Sequence, residues 1–358
     1  MNKMDVFQTT YTADTATSGD PFIRVKDLKV RFVSREATVQ AVNGVSLELK
    51  RGEVLCVIGE SGSGKSVMMR SLLKLHPKNR TVIEGEMKVG EHDIMSASSK
   101  RMGEIRGRVI SMVFQEPMTA LDPLYTIGDQ IAETVMRHQK VNRETAMKRA
   151  LELLELVRVP SPERRLKAYP HELSGGLRQR AMIAVALSCK PDLLLADEPT
   201  TALDASVQIQ VLVLLRRLQR ELGMSMIFVT HDLGVAAQIA DKIAVMYAGR
   251  IIETGEARDV LMNPQHPYTK AMLASTEKYH HKGAPLETIH GTPPDLRLLP
   301  PGCSFAPRCS FAVELCRKTL PQATTDVRGH SARCIGATTI NGRLSFAAPL
   351  AGKAELAV

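Results

Sequence analysis

The sequence lacks a hydrophobic run long enough to cross a bilayer, which takes roughly 20 apolar residues. Residues 1–20 also lack a basic segment followed by an apolar one, so they do not resemble a secretory signal. We therefore expect residues 1–20 to form a flexible polar tail and the protein to be cytoplasmic. There is no tryptophan and the aromatic fraction is 4%, but the hydrophobic fraction of 44% suffices for a core in a chain of 358 residues.

The charged residues form no basic block. A net charge of +9 would suit a nucleic acid, an anionic membrane face or an anionic ligand. However, positive and negative side chains alternate along helix-like segments such as residues 141–159. This pattern is typical of a solvated surface, and we expect no nucleic-acid partner.

Short apolar segments alternate with segments that have helical periodicity. The predicted strands are 22–33, 45–50, 53–60, 193–199 and 226–232, and the predicted helices include 127–139, 142–159, 204–222 and 233–241. Such alternation indicates an α/β fold with a largely parallel sheet covered on both faces. From about residue 263 the composition changes, because paired prolines and most of the cysteines appear there. We therefore place a domain boundary near 263–290.

Residues 59–66, GESGSGKS, match the phosphate-binding pattern G-x-x-x-x-G-K-[ST]. A buried strand precedes them and a helix follows, which is the setting that this loop requires. Its glycines let the backbone curl so that amide groups face phosphate oxygens. The residues predicted to bind a nucleotide here are Gly59, Ser61, Gly62, Ser63, Gly64, Lys65 and Ser66. Lys65 would reach the β- and γ-phosphates, and the Ser66 hydroxyl would bind Mg²⁺. The chain has no second copy of this loop.

Two carboxylates follow the strand in 193-LLLADEP-199. Asp197, at the end of the strand, is predicted to hold Mg²⁺, while Glu198 would orient or deprotonate an attacking water. Two acids at the end of a buried strand are costly without a nearby cation. The pair therefore supports a nucleotide site with a metal ion.

Further motifs resemble those of ATP-binding cassette (ABC) proteins. The stretch 173-LSGGLRQR-180 resembles the signature motif of that family, and 202-ALD-204 resembles its D-loop. Gln115 stands in the place of the family's Q-loop glutamine, His231 in that of the switch histidine, and Phe32 in that of the aromatic residue that stacks on adenine. These marks occur in family order over roughly residues 22–255.

The resemblance implies an ABC-type P-loop NTPase fold, with a RecA-like core, an antiparallel β subdomain and an α-helical signature subdomain at about 103–172. It implies a cassette over 21–262. Catalysis would involve Lys65, Gln115, Glu198 and His231, with Gln115 also a Mg²⁺ ligand. ATP would lie between two cassettes, so that the signature residues serve the facing subunit. The residues assigned to that second contact are Ser174, Gly175 and Gly176, and Gln179 and Asp204 are also predicted to bind the nucleotide.

Three segments resemble the ATPase subunits of oligopeptide and dipeptide importers. They are 117-PMTALDPLYTIGDQI-131, 263-NPQHPYTKAML-273 and the cysteine-containing stretch 300–322. This branch implies a second ATPase subunit, with a heterodimer favoured and a homodimer open. It also implies two permease subunits, an indirect solute-binding protein, and a position on the cytoplasmic face of a bacterial membrane. Nickel, glutathione or another solute stays open as the substrate.

Four of the six cysteines, Cys303, Cys309, Cys316 and Cys334, lie in an extension predicted at 263–340, followed by a tail at 341–358. Their spacing, C-x5-C-x6-C-x17-C, is not the C-x2-C pairing of zinc ribbons. Four thiolates can hold an iron–sulfur cluster or Zn²⁺. The resemblance favours a 4Fe–4S cluster, and zinc or metal-free thiols remain open.

Two other functions fit parts of the sequence. One is a soluble cassette ATPase of translation or DNA repair, although the chain shows neither a second cassette nor a coiled-coil insertion. The other is a regulator that binds ATP without cleaving it. The presence of Lys65, Asp197, Glu198 and His231 argues against the regulator.

Overall fold

The computed structural model describes residues 20–201, 203–275 and 288–348. Most of the predicted tail at 1–20, the predicted tail from residue 349 onward, and Ala202 of the D-loop lie outside these ranges. Within them, no helix combines the length and the apolar character that a membrane crossing needs.

The strands and helices of the described residues are numbered here in chain order. The strands are β1 (Ile23–Val33), β2 (Thr38–Leu49), β3 (Val54–Ile58), β4 (Thr81–Val89), β5 (His92–Asp93), β6 (Ile110–Val113), β7 (Leu193–Asp197), β8 (Ser225–Thr230), β9 (Lys242–Tyr247), β10 (Arg250–Glu256), β11 (Thr324–Thr325), β12 (Ser331–Ala332), β13 (Ala337–Ile340) and β14 (Arg343–Phe346). The helices are α1 (Lys65–Leu72), α2 (Ser99–Ile105), α3 (Pro117–Ala120), α4 (Ile127–Gln139), α5 (Arg143–Leu156), α6 (Pro162–Leu166), α7 (Gly175–Leu187), α8 (Ala205–Leu222), α9 (Leu233–Ile239), α10 (Ala257–Met262), α11 (Pro267–Ala274) and α12 (Glu314–Lys318).

The main sheet has eight strands in the order β11-β12-β10-β9-β3-β8-β7-β6. The five strands from β9 to β6 pair in parallel, and β10, β12 and β11 add antiparallel pairs at one side. A separate four-stranded antiparallel sheet has the order β2-β1-β4-β5. The predicted α/β class with a largely parallel sheet and an antiparallel subdomain is therefore confirmed.

Strand β3 separates the two parts of the hydrophobic core. Val54, Cys56 and Ile58 pack in the cluster that contains helices α4, α5, α7 and α8. Leu55 and Val57 pack in the cluster formed by α1, α2 and the antiparallel sheet. Successive side chains of a strand point to opposite faces of the sheet, and here both faces are covered. Every residue of β3 is therefore buried. The second face is thus covered partly by another sheet and not by helices alone.

Two predicted boundaries differ from the elements observed. The helical subdomain was placed from about residue 103, but β6 is an edge strand of the main sheet and the helical insertion begins after it, with α3. The extension was placed after residue 262, yet β12 pairs with β10 of the cassette, and the hairpin of β13 and β14 runs past residue 340.

The extension also shares the core of the cassette. Tyr268 and Phe305 pack with Tyr247 of β9, with ring centroids 4.7 Å apart for the tyrosine pair and 5.4 Å apart for Tyr247 and Phe305. The buried carboxylate of Glu253 in β10 accepts a hydrogen bond of 2.8 Å from His330 Nε2. The composition changes near residue 263, but the hydrophobic core continues across it.

Candidate nucleotide site

The loop between β3 and α1 requires glycine at positions 59 and 64. Gly64 has a φ of 103°, and a Cβ there would lie 2.3 Å from the carbonyl oxygen of Ala41. A Cβ on Gly59 would lie 2.1 Å from the carbonyl oxygen of Met246. Glycine therefore permits both the backbone conformation and the close approach of the neighbouring strands. In the same loop Ser61 and Gly62 are exposed, whereas Ser63 is buried.

Lys65, the first residue of α1, is only 4% exposed. Its Nζ donates hydrogen bonds to the carbonyl oxygens of Gly59 at 2.8 Å and Glu60 at 2.9 Å. Burial lowers the pKa of Lys65, and the negative charges of Glu198, Asp197 and Glu60 oppose that effect. The ammonium group is thus held inside the loop whose amides would surround a phosphate.

Asp197 ends β7 and reaches the start of α1. Its Oδ1 accepts a hydrogen bond of 2.7 Å from Ser66 Oγ. The buried Oδ2 has no hydrogen-bond partner among the described residues, and the nearest cation, Arg70 Nη2, is 3.8 Å away. Burial raises the pKa of Asp197, although the Ser66 hydrogen bond and the Arg70 charge lower it. A hydroxyl beside an unpartnered carboxylate oxygen is the hard-oxygen donor set that Mg²⁺ prefers, so these residues fit the predicted metal.

One carboxylate oxygen of Glu198 lies close to three polar side chains. Its Oε2 lies 2.9 Å from Thr201 Oγ1, 3.2 Å from His231 Nδ1 and 3.5 Å from Gln115 Nε2. The Glu198 backbone has a φ of 45°, which is the left-handed region and is unusual for a residue with a side chain. The sharp turn after β7 therefore points this carboxylate toward the Q-loop and the residue after β8. Gln115 lies within hydrogen-bond distance of Glu198, and among the described residues it forms no hydrogen bond with Ser66 or Asp197.

The signature residues begin α7. Ser174 occupies the position before its first turn, and Ser174 and Gly175 are exposed, so this helix end is accessible. Gly176 is needed for packing as well, because a Cβ there would lie 2.7 Å from Val207 Cγ1 of α8. Asp204 immediately precedes α8, and its carboxylate accepts a hydrogen bond of 3.0 Å from the Val207 amide.

Gln179 differs from the other residues assigned to nucleotide binding. It is 1% exposed, and its Nε2 has no hydrogen-bond partner in the part of the chain that the structure describes. It lies on the inner side of α7, near Gln115 and Pro117 of the Q-loop segment. The side chain is thus buried within the single chain, and its contact with a nucleotide stays a prediction.

Phe32 lies near the end of β1, and its ring meets that of His76 edge-on with centroids 5.3 Å apart. His76 Nε2 in turn lies 3.0 Å from the Val67 carbonyl oxygen of α1. The aromatic ring predicted to stack on adenine is therefore placed beside the helix that follows the glycine loop.

A set of contacts around Glu60 has no counterpart among the predicted site residues. The Glu60 amide donates to the hydroxyl of Tyr268, and its carboxylate pairs with Arg308. Both partners belong to the C-terminal extension. The segment 263-NPQHPYTKAML-273 was noted only as a family mark, and Arg308 had no role assigned.

The four C-terminal cysteines converge. Cys303, Cys309, Cys316 and Cys334 line one small cavity together with apolar and aromatic side chains. Burial and, to a smaller extent, the three neighbouring cysteines raise the pKa of the Cys334 thiol to about 12. Nevertheless, no three His, Cys, Asp or Glu side chains in the described ranges are arranged to hold a metal ion. The donor atoms are of the right kind, but the structure gives no coordination shell for the predicted iron–sulfur cluster or zinc.

Comparisons with known proteins agree with this architecture. Residues 42–201 match the family described as ABC transporter, and residues 252–316 match the family described as oligopeptide/dipeptide transporter, C-terminal region. The dipeptide transport ATP-binding protein DppD of Bacillus subtilis (strain 168) is 48% identical over 313 residues, which cover 87% of this chain and 93% of DppD. The oligopeptide transport ATP-binding protein OppD of Salmonella typhimurium is 44% identical over 313 residues, covering 86% and 93%.

Solved structures give the same result. The ATP-binding cassette MJ0796, as a dimer in a post-hydrolysis state bound to ADP and Pi, has a TM-score of 0.59 and 30% identity, covering 66% of this chain and 99% of that one. The fold and the loop define an α/β protein of the P-loop class. The chain belongs to the ABC transporter family, in the group that carries the oligopeptide/dipeptide C-terminal region. The resemblance seen in the sequence is therefore confirmed.

We predict that Asp197→Asn stabilises the nucleotide-free protein near pH 8. Burial raises the folded-state pKa of Asp197 above its unfolded-state value. The protonated carboxyl group therefore stabilises the fold fully below the unfolded-state pKa, and this stabilisation is lost as pH rises through the folded-state pKa. Asparagine stays neutral, and its Oδ1 can still accept from Ser66. The urea midpoint of the variant should exceed that of the wild type at pH 8 without Mg²⁺, and the gap should narrow toward acidic pH.

The matched control for this measurement is Asp192→Asn, because Asp192 is partly exposed and pairs with Arg51 at 2.8 Å. It should not raise the midpoint. An Asp197→Asn midpoint equal to or below that of the wild type at pH 8 would contradict the prediction.

Proposed function

We propose that this protein is the ATP-binding and ATP-hydrolysing subunit of a bacterial ABC importer for dipeptides or oligopeptides. The observation that carries the proposal is the buried group at the glycine loop, where Lys65, the Ser66–Asp197 pair and Glu198 lie together. The C-terminal region and the names of DppD and OppD support the peptide branch.

ATP would bind with its phosphates against the amides of the loop from Gly59 to Ser66 and its adenine against Phe32. Lys65 would exchange its bonds to the Gly59 and Glu60 carbonyls for the β- and γ-phosphates. Mg²⁺, held by Ser66 and Asp197 with Gln115 as the further predicted ligand, would neutralise charge on the phosphates. Arg70 lies 3.8 Å from Asp197, and its charge opposes the rise in the pKa of that carboxyl group that burial causes.

Glu198 would act as the base or water-orienting group of hydrolysis. A general base must lie within hydrogen-bond reach of the water that it activates. In this structure Thr201, His231 and Gln115 surround its Oε2, so these side chains fix the carboxylate and must make room for the water. His231, which is more exposed than Glu198, would contact the γ-phosphate.

The exposed start of α7 supports a two-chain arrangement. Ser174 and Gly175 present backbone amides at a helix N-terminus, which favours an anion from a facing subunit. Binding of ATP would close the two cassettes, and hydrolysis would let them part and drive two permease subunits. We propose a related but distinct second ATPase, with a homodimer as the alternative, a solute-binding protein as an indirect partner, and a location at the cytoplasmic face of the membrane.

Alternative functions make different demands. Nickel, glutathione or another small solute would change the permease and the binding protein and leave the ATPase chemistry intact. A soluble cassette of translation or DNA repair would associate with ribosomes or DNA and with no permease.

We predict that Glu198→Gln lowers ATP turnover by about 10²- to 10⁴-fold, the usual contribution of a general base. The amide cannot accept a proton, but it keeps the size of the side chain, so ATP binding should persist. Phosphate release measures turnover, and size-exclusion chromatography with Mg-ATP detects the closed dimer. Turnover at the wild-type rate would contradict the assignment of the base. Glu116→Gln, at an exposed neighbouring Q-loop residue, is the control.

We predict that affinity purification from detergent-solubilised membranes recovers two permeases and a second cassette protein. Mass spectrometry identifies the partners, and the Lys65→Ala variant controls for nucleotide-dependent association. A solute-binding protein for a metal or for glutathione encoded with those permeases would replace the peptide assignment. Recovery of ribosomal or DNA-repair proteins without a permease would overturn the importer.

We further propose that the four cysteines hold a 4Fe–4S cluster with a structural role, with Zn²⁺ as the alternative. The support is that four cysteines line one cavity in a segment with little secondary structure. Thiolates are the donors that both iron–sulfur clusters and zinc use. Metal binding would crosslink segments that are separate in sequence.

After anaerobic purification, we predict about four iron and four acid-labile sulfide per chain, as a 4Fe–4S cluster requires. Cys309→Ser should lower both values, whereas Cys189→Ser, at a buried cysteine outside the cavity, should not. One zinc per chain would favour the alternative. Wild-type protein without iron, sulfide or zinc would contradict both.

A further inference from the structure

Glu60, the second residue of the glycine loop, forms polar contacts through its carbonyl oxygen, its amide and its carboxylate. Its carbonyl oxygen accepts a hydrogen bond of 2.9 Å from Lys65 Nζ within the loop. Its amide donates to the hydroxyl of Tyr268 at 2.9 Å, and its Oε2 lies 2.9 Å from Arg308 Nη1. A residue that the phosphate-binding pattern leaves unspecified is thus tied both to the loop lysine and to the C-terminal extension.

Tyr268 is rigidly placed. It is fully buried, and its ring packs against Tyr247 and Phe305. The first turn of α11 is fixed as well, because His266 Nδ1 accepts from the Tyr268 amide and Glu253 accepts from the His266 amide. The hydroxyl that meets the Glu60 amide therefore has little freedom to move.

Arg308 is equally constrained. Its side chain is 6% exposed, and its guanidinium also donates to the Tyr247 hydroxyl and to the carbonyl oxygens of Ile289 and His290. An arginine with its donors satisfied in this way is a fixed partner for a carboxylate. The ion pair with Glu60 is only partly exposed, so solvent screens it less than a surface pair.

We infer that Tyr268 and Arg308 are positioning residues for the nucleotide loop. They hold Glu60 so that the loop amides and Lys65 are set before a nucleotide arrives, which reduces the ordering cost of binding. Neither residue touches the reacting atoms. The inference rests on the proposed assignment of the glycine loop as the phosphate site.

A purely structural role makes a different prediction. If Tyr268 and Arg308 only attach the extension to the cassette, removing their polar groups lowers stability and leaves nucleotide affinity unchanged. If they position the loop, affinity falls for ATP and ADP by a similar factor, because the loop amides cradle the α- and β-phosphates that both nucleotides share. Turnover at saturating ATP then changes little, since ground state and transition state lose the same interaction.

Tyr268→Phe in the full-length chain is the test. The ring and its packing remain, and only the hydroxyl that accepts from Glu60 is removed. Titration with fluorescent methylanthraniloyl-ATP and methylanthraniloyl-ADP should show about three- to tenfold weaker binding of both, the range of one net hydrogen bond. In the purified transporter complex, KM for ATP should rise while kcat is retained.

His330→Gln is the matched control. His330 is a second buried link between extension and cassette, through Glu253, and it does not contact Glu60. It should lower the melting temperature without weakening nucleotide binding. If Tyr268→Phe behaves as His330→Gln does, with lower stability and unchanged affinity, the inference is wrong.

The ion pair between Glu60 and Arg308 is tested by a double-mutant cycle. Glu60→Gln and Arg308→Gln should each weaken binding of both nucleotides, and the double variant should lose less than the product of the two single effects. Arg308→Lys should restore part of the affinity, because it keeps a positive charge toward Glu60. If the two single effects on affinity multiply in the double variant, and Arg308→Lys restores no affinity, Glu60 and Arg308 do not act through a shared contact.

The outcome is separable from the proposed ATPase function. Wild-type protein that binds methylanthraniloyl-ATP, with binding abolished by Lys65→Ala, supports the glycine loop as the phosphate site whatever Tyr268→Phe does. Absence of binding in the wild type would remove both the assignment and the inference that rests on it.

Discussion

A buried lysine among carboxylates is the constraint around which this chain is built. Lys65 is almost inaccessible to water, and the charges of Glu198, Asp197 and Glu60 oppose the fall in its pKa that burial causes. The cost of burying such charges is high unless they are paired and hydrogen-bonded. Strands β3 and β7 are parallel members of the main sheet. Their carboxyl ends bring the glycine loop and the two acids together at one edge of the sheet, which allows the charges to be paired. Glycine at positions 59 and 64 then lets neighbouring strands approach closely enough to exclude water.

Much of the fold could be predicted because its central strands are uniformly apolar. Strands β3, β7 and β8 are buried along their whole length, and their sequences show it without reference to distant residues. Strands β11 and β12 have two residues each, which is too short for any periodicity. Their addition to β10 depends on contacts about 80 residues apart in sequence, as for Glu253 and Ala332. The continuity of the sheet into the extension therefore had no local signal.

The residues of the site also divide into those that the sequence could predict and those that it could not. Lys65, Ser66 and Asp197 could be named because the chemistry of phosphate and magnesium restricts those positions to few residue types. Gln179 was assigned by its neighbours in the signature motif, yet Met182 and Ile183 follow it at helical spacing on the buried side of α7. That periodicity was sufficient to predict its burial. Glu60, in contrast, occupies an unspecified position of the loop pattern, and its partners Tyr268 and Arg308 lie more than 200 residues away.

The contacts of Glu60 also change how the C-terminal extension is understood. A separate domain joined by a linker would leave the cassette core complete, but here Tyr247 of β9 packs directly on Tyr268 and Phe305. The short turn Ala306–Arg308 carries the arginine that reaches the loop and ends at Cys309, which lines the cysteine cavity. One piece of backbone therefore serves both the glycine loop and the cysteine cavity. Because packed interiors transmit small displacements, the geometry of this turn is shared by the two sites and is not set by either alone.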